Sequence, residues 1–124
     1  MSFLFVMAGG AIGAAARYAV NLAALAWFGA GYPWATLLVN VAGGLAMGVL
    51  AGLLACVGAG GETLRLFIGV GVLGGFTTFS AFSLELVTLA ERGLWIAAAG
   101  YALASVLGAA LALAAGLALA RSVA

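Results

Sequence analysis

The segment Gly74-Gly75-Phe76-Thr77-Thr78-Phe79-Ser80-Ala81-Phe82-Ser83 gathers paired glycines, hydroxyls and aromatic rings inside an otherwise apolar run. Its glycines and threonines predict a local break in a helix. A break at membrane depth frees backbone carbonyls, which must then coordinate an ion, line water or find other partners. Past the break, Phe79 and Phe82 are three apart and share a helix face, with Ser80 and Ser83 forming a polar stripe beside them. An aromatic ring carries a positive edge. Rings turned edge-on beside neutral hydroxyl and amide donors could hold a partly dehydrated anion without any fixed positive charge. Taken alone, paired phenylalanines are ordinary core residues and Ser/Thr hydroxyls ordinarily heal a kink, so the segment needs partners elsewhere in the chain.

Candidate partners exist on the other apolar runs. Thr36 and Asn40 extend the four-residue spacing of Gly44, Gly48 and Gly52, which places a hydroxyl and an amide on a glycine face. A lipid-embedded amide must be hydrogen-bonded, so Asn40 faces another helix or a wet cavity, as interhelical glue or as a pore group. Tyr101 and Ser105, also four apart, make a second line of hydroxyls. Arg17 and Glu85 are the ionisable groups inside the apolar runs. They belong to the same half of the membrane, and either pair with each other or leave Arg17 to attract anions at a vestibule.

The elements that must position these residues follow from composition. With 68% hydrophobic and 6% charged residues among 124, the chain lies outside the balance of soluble domains. A crossing helix needs roughly 20 apolar residues. Four runs reach that length: Phe3 to Phe28, Trp34 to Val57, Leu66 to Ala90 and Leu94 to Ala120. They lack the alternation of a membrane β-barrel. The first run lacks a basic start and contains Arg17, so it reads as a retained helix rather than a leader. The expectation is an all-α membrane protein, a single four-helix transmembrane domain over residues 1–124 with a break in the third helix. Short connections at Gly29 to Pro33, Gly58 to Arg65 and Glu91 to Gly93 make successive helices antiparallel. Trp27, Tyr32, Trp34 and Trp95 fall at headgroup level. Arg65 and Arg121 lie on one side, Arg92 and Arg17 towards the other, so positive charge favours neither orientation and two opposite copies could pair.

Composition also excludes functions. There is no histidine or aspartate, and no nucleophile paired with a base, which argues against an enzyme. Cys56 is the single cysteine and reads as a packing residue. Four scattered arginines and a net charge of +1 form no patch for nucleic acid.

Together these segments resemble the Fluc (CrcB-type) fluoride channels. The residues that carry the resemblance are Gly9-Gly10 with Gly13 and Arg17, Thr36-Leu37-Leu38-Val39-Asn40 with Gly43-Gly44, and above all Gly74 to Ser83. The resemblance covers essentially the whole chain. It implies passive fluoride export across the inner (plasma) membrane, an antiparallel dual-topology homodimer with two pores, and a structural sodium ion held between subunits by the backbone carbonyls of Gly74 and Thr77. It further implies that Asn40 is the pore amide, that Phe79 and Phe82 are the aromatic pair beside the path, and that Tyr101 and Ser105 begin a polar track. A further hydroxyl of that track is Ala109 here. Ser80, Thr36, Arg17 and Glu85 match polar positions of the family.

Two other readings remain at this stage. A small multidrug resistance transporter also has four helices, but it needs a carboxylate in its first helix, where this chain has Arg17 and no acid. A non-conducting assembly subunit would use the glycine stripes alone and leaves the Gly74–Ser83 segment without a role.

Overall fold

A computed structural model describes residues 1–123. Among these residues every regular element is helical. Helix α1 is Ser2–Phe28 and α2 is Trp34–Val57, and a 3₁₀ turn at Gly58–Gly61 follows. Residues 62–76 form α3, which is α-helical at Glu62–Leu64, π-helical over Arg65–Leu73 and α-helical again at Gly74–Phe76. Helix α4 is Ser80–Glu91 and α5 is Trp95–Val123. Helices α1 and α2 stop at Gly29 and Gly58, with φ of 76° and 69°, a left-handed geometry that suits glycine.

The elements follow the apolar runs with two differences. The expected loop from Gly58 to Arg65 is itself largely helical, because Arg65 turns back and donates two hydrogen bonds to the Glu62 carboxylate, at 3.1 and 2.8 Å. This exposed pair holds the Glu62 carboxyl below its ordinary value. The last helix also runs past Ala120, ending at Val123 with Arg121 in its final turn, where a cation suits the carbonyl end of the helix dipole.

Glycine sets the packing. Helices α2 and α5 run side by side in the same direction, with Gly44 against Ala109, Gly48 against Leu113 and Gly52 against Ala120. A methyl built on Gly48 would lie 3.0 Å from the Leu113 Cα, and one on Gly116 2.8 Å from the Val49 nitrogen. The expected smooth stripe is therefore a backbone-to-backbone seam. Helices α1 and α3 make a second such seam, where a Gly9 methyl would meet the Gly71 Cα at 2.9 Å and a Gly75 methyl the Gly10 oxygen at 2.7 Å. Helix α3 doubles back along α2, placing Gly69 beside Leu50 and Gly43 beside Phe76 and Thr77. The π-helical stretch lies on the α1 seam, where Gly71 lets the widened turns press against the Gly9 and Gly10 backbone without side chains between them.

The outside of this assembly is apolar. Phe3, Ile12, Leu103, Leu111 and many other large hydrophobics are exposed, and the buried side chains form one small cluster of Phe82, Leu89, Ala98 and Tyr101, packed with Tyr32, Leu37 and Leu86, beside scattered residues such as Val39, Leu50 and Leu73. Three helical stretches are long and apolar enough to cross a membrane: Ser2–Phe28, Trp34–Glu91 and Trp95–Val123. The second spans 58 residues, more than one crossing requires, and it reverses at the Gly58–Gly61 turn. Such a surface is wetted by lipid rather than water, and the protein is a multi-pass membrane protein.

The seams generate a stability contrast. Gly48→Ala forces apart two backbones and is expected to cost about 1–3 kcal/mol. Gly100→Ala, whose methyl would meet nothing within 4 Å in the chain, should leave stability unchanged or raise it. Thermal unfolding of the two variants in detergent checks this, and equal melting temperatures would contradict the seam.

Candidate functional site

The helical backbone is interrupted between Phe76 and Ser80, and Thr77 is extended (φ −83°, ψ 157°). The sequence places a break within Gly74–Ser83, and the interruption falls at the threonines rather than at the paired glycines, which are helical. Gly75 serves the α1 seam instead, and Gly74 lines the groove described below. The threonines can replace lost backbone partners with their own hydroxyls, so the chain opens where it can mend itself.

The mending is specific. The Thr77 hydroxyl donates to the Leu73 carbonyl at 2.9 Å, and the Thr77 N–H donates to the same oxygen at 3.0 Å. Thr78 caps α4 by accepting the Ala81 N–H on its hydroxyl at 3.2 Å, and that hydroxyl also lies 3.3 Å from the Ser80 hydroxyl. Ser83 donates to the Phe79 carbonyl at 2.9 Å.

Asn40 closes the gap from α2. Its Nδ2 donates to the Thr78 carbonyl at 3.0 Å, and its Oδ1 accepts the Thr78 N–H at 2.9 Å. One amide side chain thus replaces both helix hydrogen bonds of one peptide position. Sequence reasoning left Asn40 between glue and pore. Its geometry makes it glue, and because an amide has two N–H groups and two acceptor lone pairs, a further donor and acceptor remain.

Arg17 reaches the break from α1, its Nε donating to the Gly75 carbonyl at 3.1 Å. A cation at the carbonyl end of a helix is favoured by the dipole as well as by the hydrogen bond. The alternative that Arg17 pairs with Glu85 is not what the structure shows. Glu85 instead accepts a hydrogen bond from the Tyr101 hydroxyl at 3.1 Å, and among the described residues the one ion pair is Glu62 with Arg65.

These substitutions leave particular carbonyls without their helical donors. The Thr78 N–H would close a helical turn on Gly74, and it goes to Asn40. The Ala81 N–H would close one on Thr77, and it goes to the Thr78 hydroxyl. Gly74 and Thr77 both line a surface groove of about 540 Å³, together with Asn40, Phe79, Phe82 and Ser105. Phe79 and Phe82 lie with ring centroids 5.4 Å apart, Phe82 buried and Phe79 75% exposed. Ser105 is buried at 5% exposure, and its hydroxyl has no hydrogen-bond partner.

Of the other expected residues, Tyr101 is fully buried against Phe82 at a centroid separation of 5.1 Å, and Thr36 is buried outside the groove lining. Ser80 is exposed beside Thr78, and Glu85 is half-buried under Tyr101. Ala109 does line the groove, but supplies only a methyl there. Sequence reasoning missed Thr78 as the residue Asn40 holds. No sequence signal marks that partner, because it is a backbone position whose loss of helical bonds shows only once the break is located to the residue.

Fold and groove define a class: a helical membrane protein with an uncharged groove, carrying a few polar groups, beside a broken helix. The chain belongs to the CrcB family. The model of that family, described as "CrcB-like protein, Camphor Resistance (CrcB)", matches residues 4–117. Relatives named "Fluoride-specific ion channel FluC" include one from Sphingopyxis alaskensis, 61% identical over 98% of this chain and 97% of the relative. Others come from Mesorhizobium japonicum, 52% identical over 98% and 97%, and from Rhodospirillum centenum, 56% identical over 96% and 94%. The family is one of ion channels and not of enzymes.

The Asn40 bridge yields a stability test. Asn40→Leu leaves the Thr78 N–H and C=O unpaired in an apolar surround and is expected to cost on the order of 2–4 kcal/mol. Hydrogen exchange should show the Thr78 amide protected in the wild type and rapidly exchanging in the variant. Unchanged protection would mean that Asn40 does not hold the break.

Proposed function

We propose that this protein is a fluoride-selective channel that lets fluoride leave the cytoplasm passively across the inner membrane and so lowers cytoplasmic fluoride. The observation that carries the reading is the Ser105 hydroxyl, buried without a partner in a groove that also holds Asn40, Thr77 and Thr78 and the aromatic pair Phe79 and Phe82. A buried orphan donor is costly unless something occupies it. A small, strongly hydrated anion needs dense neutral donors that replace its water without trapping it. The relatives' printed name supports fluoride as that anion.

In this reading the chain crosses the membrane four times, by α1, by α2, by α3 and α4 as one span broken at residues 77–79, and by α5. The working unit is an antiparallel homodimer with two pores. The exposure of Phe79 at the groove surface supports a second copy that covers it. Phe79, Phe82, Asn40, Ser105 and Tyr101 line or adjoin the path. Thr36, Ser80, Arg17 and Glu85 act around it, Arg17 chiefly by holding the broken helix in shape.

A structural sodium ion fits the same geometry. The Gly74 and Thr77 carbonyls, which have lost their helical donors, are hard oxygen ligands of the kind an alkali cation takes, and two opposed copies would supply four. The ion would contribute positive charge that ties the two breaks together.

Export needs no pump. A potential of about 100 mV, negative inside, is worth about 2.3 kcal/mol per charge. It would hold an internal monovalent anion roughly fifty-fold below the external level.

The test is efflux from potassium fluoride-loaded liposomes after addition of a potassium ionophore, read with a fluoride electrode, with chloride-loaded vesicles as control. Fast fluoride release with little chloride release is the expected result, and Ser105→Ala or Phe79→Leu should slow it about tenfold, or about 1.4 kcal/mol on the barrier. No fluoride release from folded protein would overturn the channel reading. Replacing sodium with a large organic cation should lower the melting temperature of the dimer, and an unchanged value would remove sodium from the proposal.

A further inference from the structure

A second cavity shares no lining residue with the groove. It measures about 240 Å³ and is bounded by the Gly29–Trp34 connection and by the end of α4. Its polar lining comes from Asn21 on α1 and from Glu85, Thr88 and Arg92. The last three are spaced at i, i+3 and i+7, which puts them on one face of α4 and its C-terminal cap, with Glu85 and Arg92 about 10 Å apart along the axis.

Tyr101 contacts residues of both the cavity and the groove. Its ring packs on Phe82, a groove residue, at 5.1 Å, and edge-on to Tyr32, a cavity residue, at 5.6 Å. Its hydroxyl bonds Glu85, which lines the cavity. One buried side chain thus links the two linings.

Electrostatically the cavity is unfavourable to an anion but for one group. Glu85 is an acid in the lining, and the carbonyl end of α4 adds the negative pole of a helix dipole. Arg92 is the cation in the lining, exposed and without an ion pair or side-chain hydrogen bond among the described residues. Glu91, its neighbour, does not line the cavity.

We propose that this cavity is the loop-side mouth of the anion path, and that Arg92 is the residue that admits anions by cancelling the charge of Glu85. The inference rests on the channel reading above. A guanidinium at this distance acts through its field rather than by contact, so its effect depends on screening. The Debye length is about 30 Å at 0.01 M and about 3 Å at 1 M, so the effect is strong in dilute salt and absent in concentrated salt.

The experiment compares initial fluoride efflux for the wild type, Arg92→Gln and Arg92→Lys, with ionic strength set between about 0.01 M and 1 M by a salt of large impermeant ions. Arg92→Gln should be slower by about two- to tenfold at low ionic strength and equal to wild type at high ionic strength, while Arg92→Lys stays near wild type throughout. In a Glu85→Gln background with measurable efflux, the Arg92→Gln deficit should shrink. An Arg92→Gln rate equal to wild type in dilute salt, a deficit that persists in concentrated salt, or a deficit of the same size without the Glu85 carboxylate overturns the proposal. Absence of fluoride efflux from the wild type would instead remove the channel reading on which it rests.

Discussion

The structure depends on the pair of hydrogen bonds between the Asn40 amide and the Thr78 backbone, at 3.0 and 2.9 Å. In lipid no water can satisfy an unpaired N–H or C=O, so helical backbone may be interrupted only where something else bonds the released groups. An amide is the one neutral side chain with a donor and an acceptor arranged as in a peptide. By binding both groups of Thr78 it allows α3 to stop and α4 to start afresh in a new direction. Without it the interruption at residues 77–79 would expose two polar groups to an apolar surround.

That bond is possible only because the helices approach closely. Gly43, one turn along α2 from Asn40, faces the Thr77 side chain, so the α2 backbone lies against the break with nothing bulky between them. Arg17 reaches Gly75 in a similar way, since Gly10 and Gly13 bring α1 onto α3 one turn earlier. The two glycine seams and the two polar clamps are therefore one arrangement. Each clamp is short because its seam is tight, and each seam is aligned because its clamp fixes the register.

The helices and the location of the break were legible in the sequence, because both rest on local signals: apolar length for the helices, and glycine, threonine and serine within an apolar run for the break. Asn40 was legible as a residue that needed a partner, since an amide is conspicuous in a helix of Ala, Leu, Gly and Val. Its partner was not, because backbone groups carry no sequence signature until the break is located to the residue. The expectation for the paired glycines was displaced by tertiary packing. Gly74 and Gly75 could end a helix, but Gly75 lies against Gly10 of α1, and the contact keeps it helical. The π-helical turns of Arg65–Leu73 had no sequence signal, because they depend on how α3 lies against Gly9 rather than on intrinsic propensity. Arg17 and Glu85 were placed in the same half of the membrane, which left pairing open, and each satisfied itself with a closer neutral partner.

The order in which groups are satisfied at the break explains which polar groups a mostly apolar groove keeps, and why none of them is charged. Arg17 carries the charge nearest to it, and its Nε is committed to Gly75. Asn40 takes Thr78, and the Thr78 hydroxyl takes Ala81. What is left facing the groove is the residue of this sequence of bonds: the carbonyls of Gly74 and Thr77, the spare capacity of Asn40, and the orphan hydroxyl of Ser105. A lining of formal charges would bind an ion strongly and hold it. Neutral donors and acceptors are each weak enough to let an ion leave. The same bonds that make a broken helix tolerable in lipid thus also decide which polar groups remain in the groove beside it.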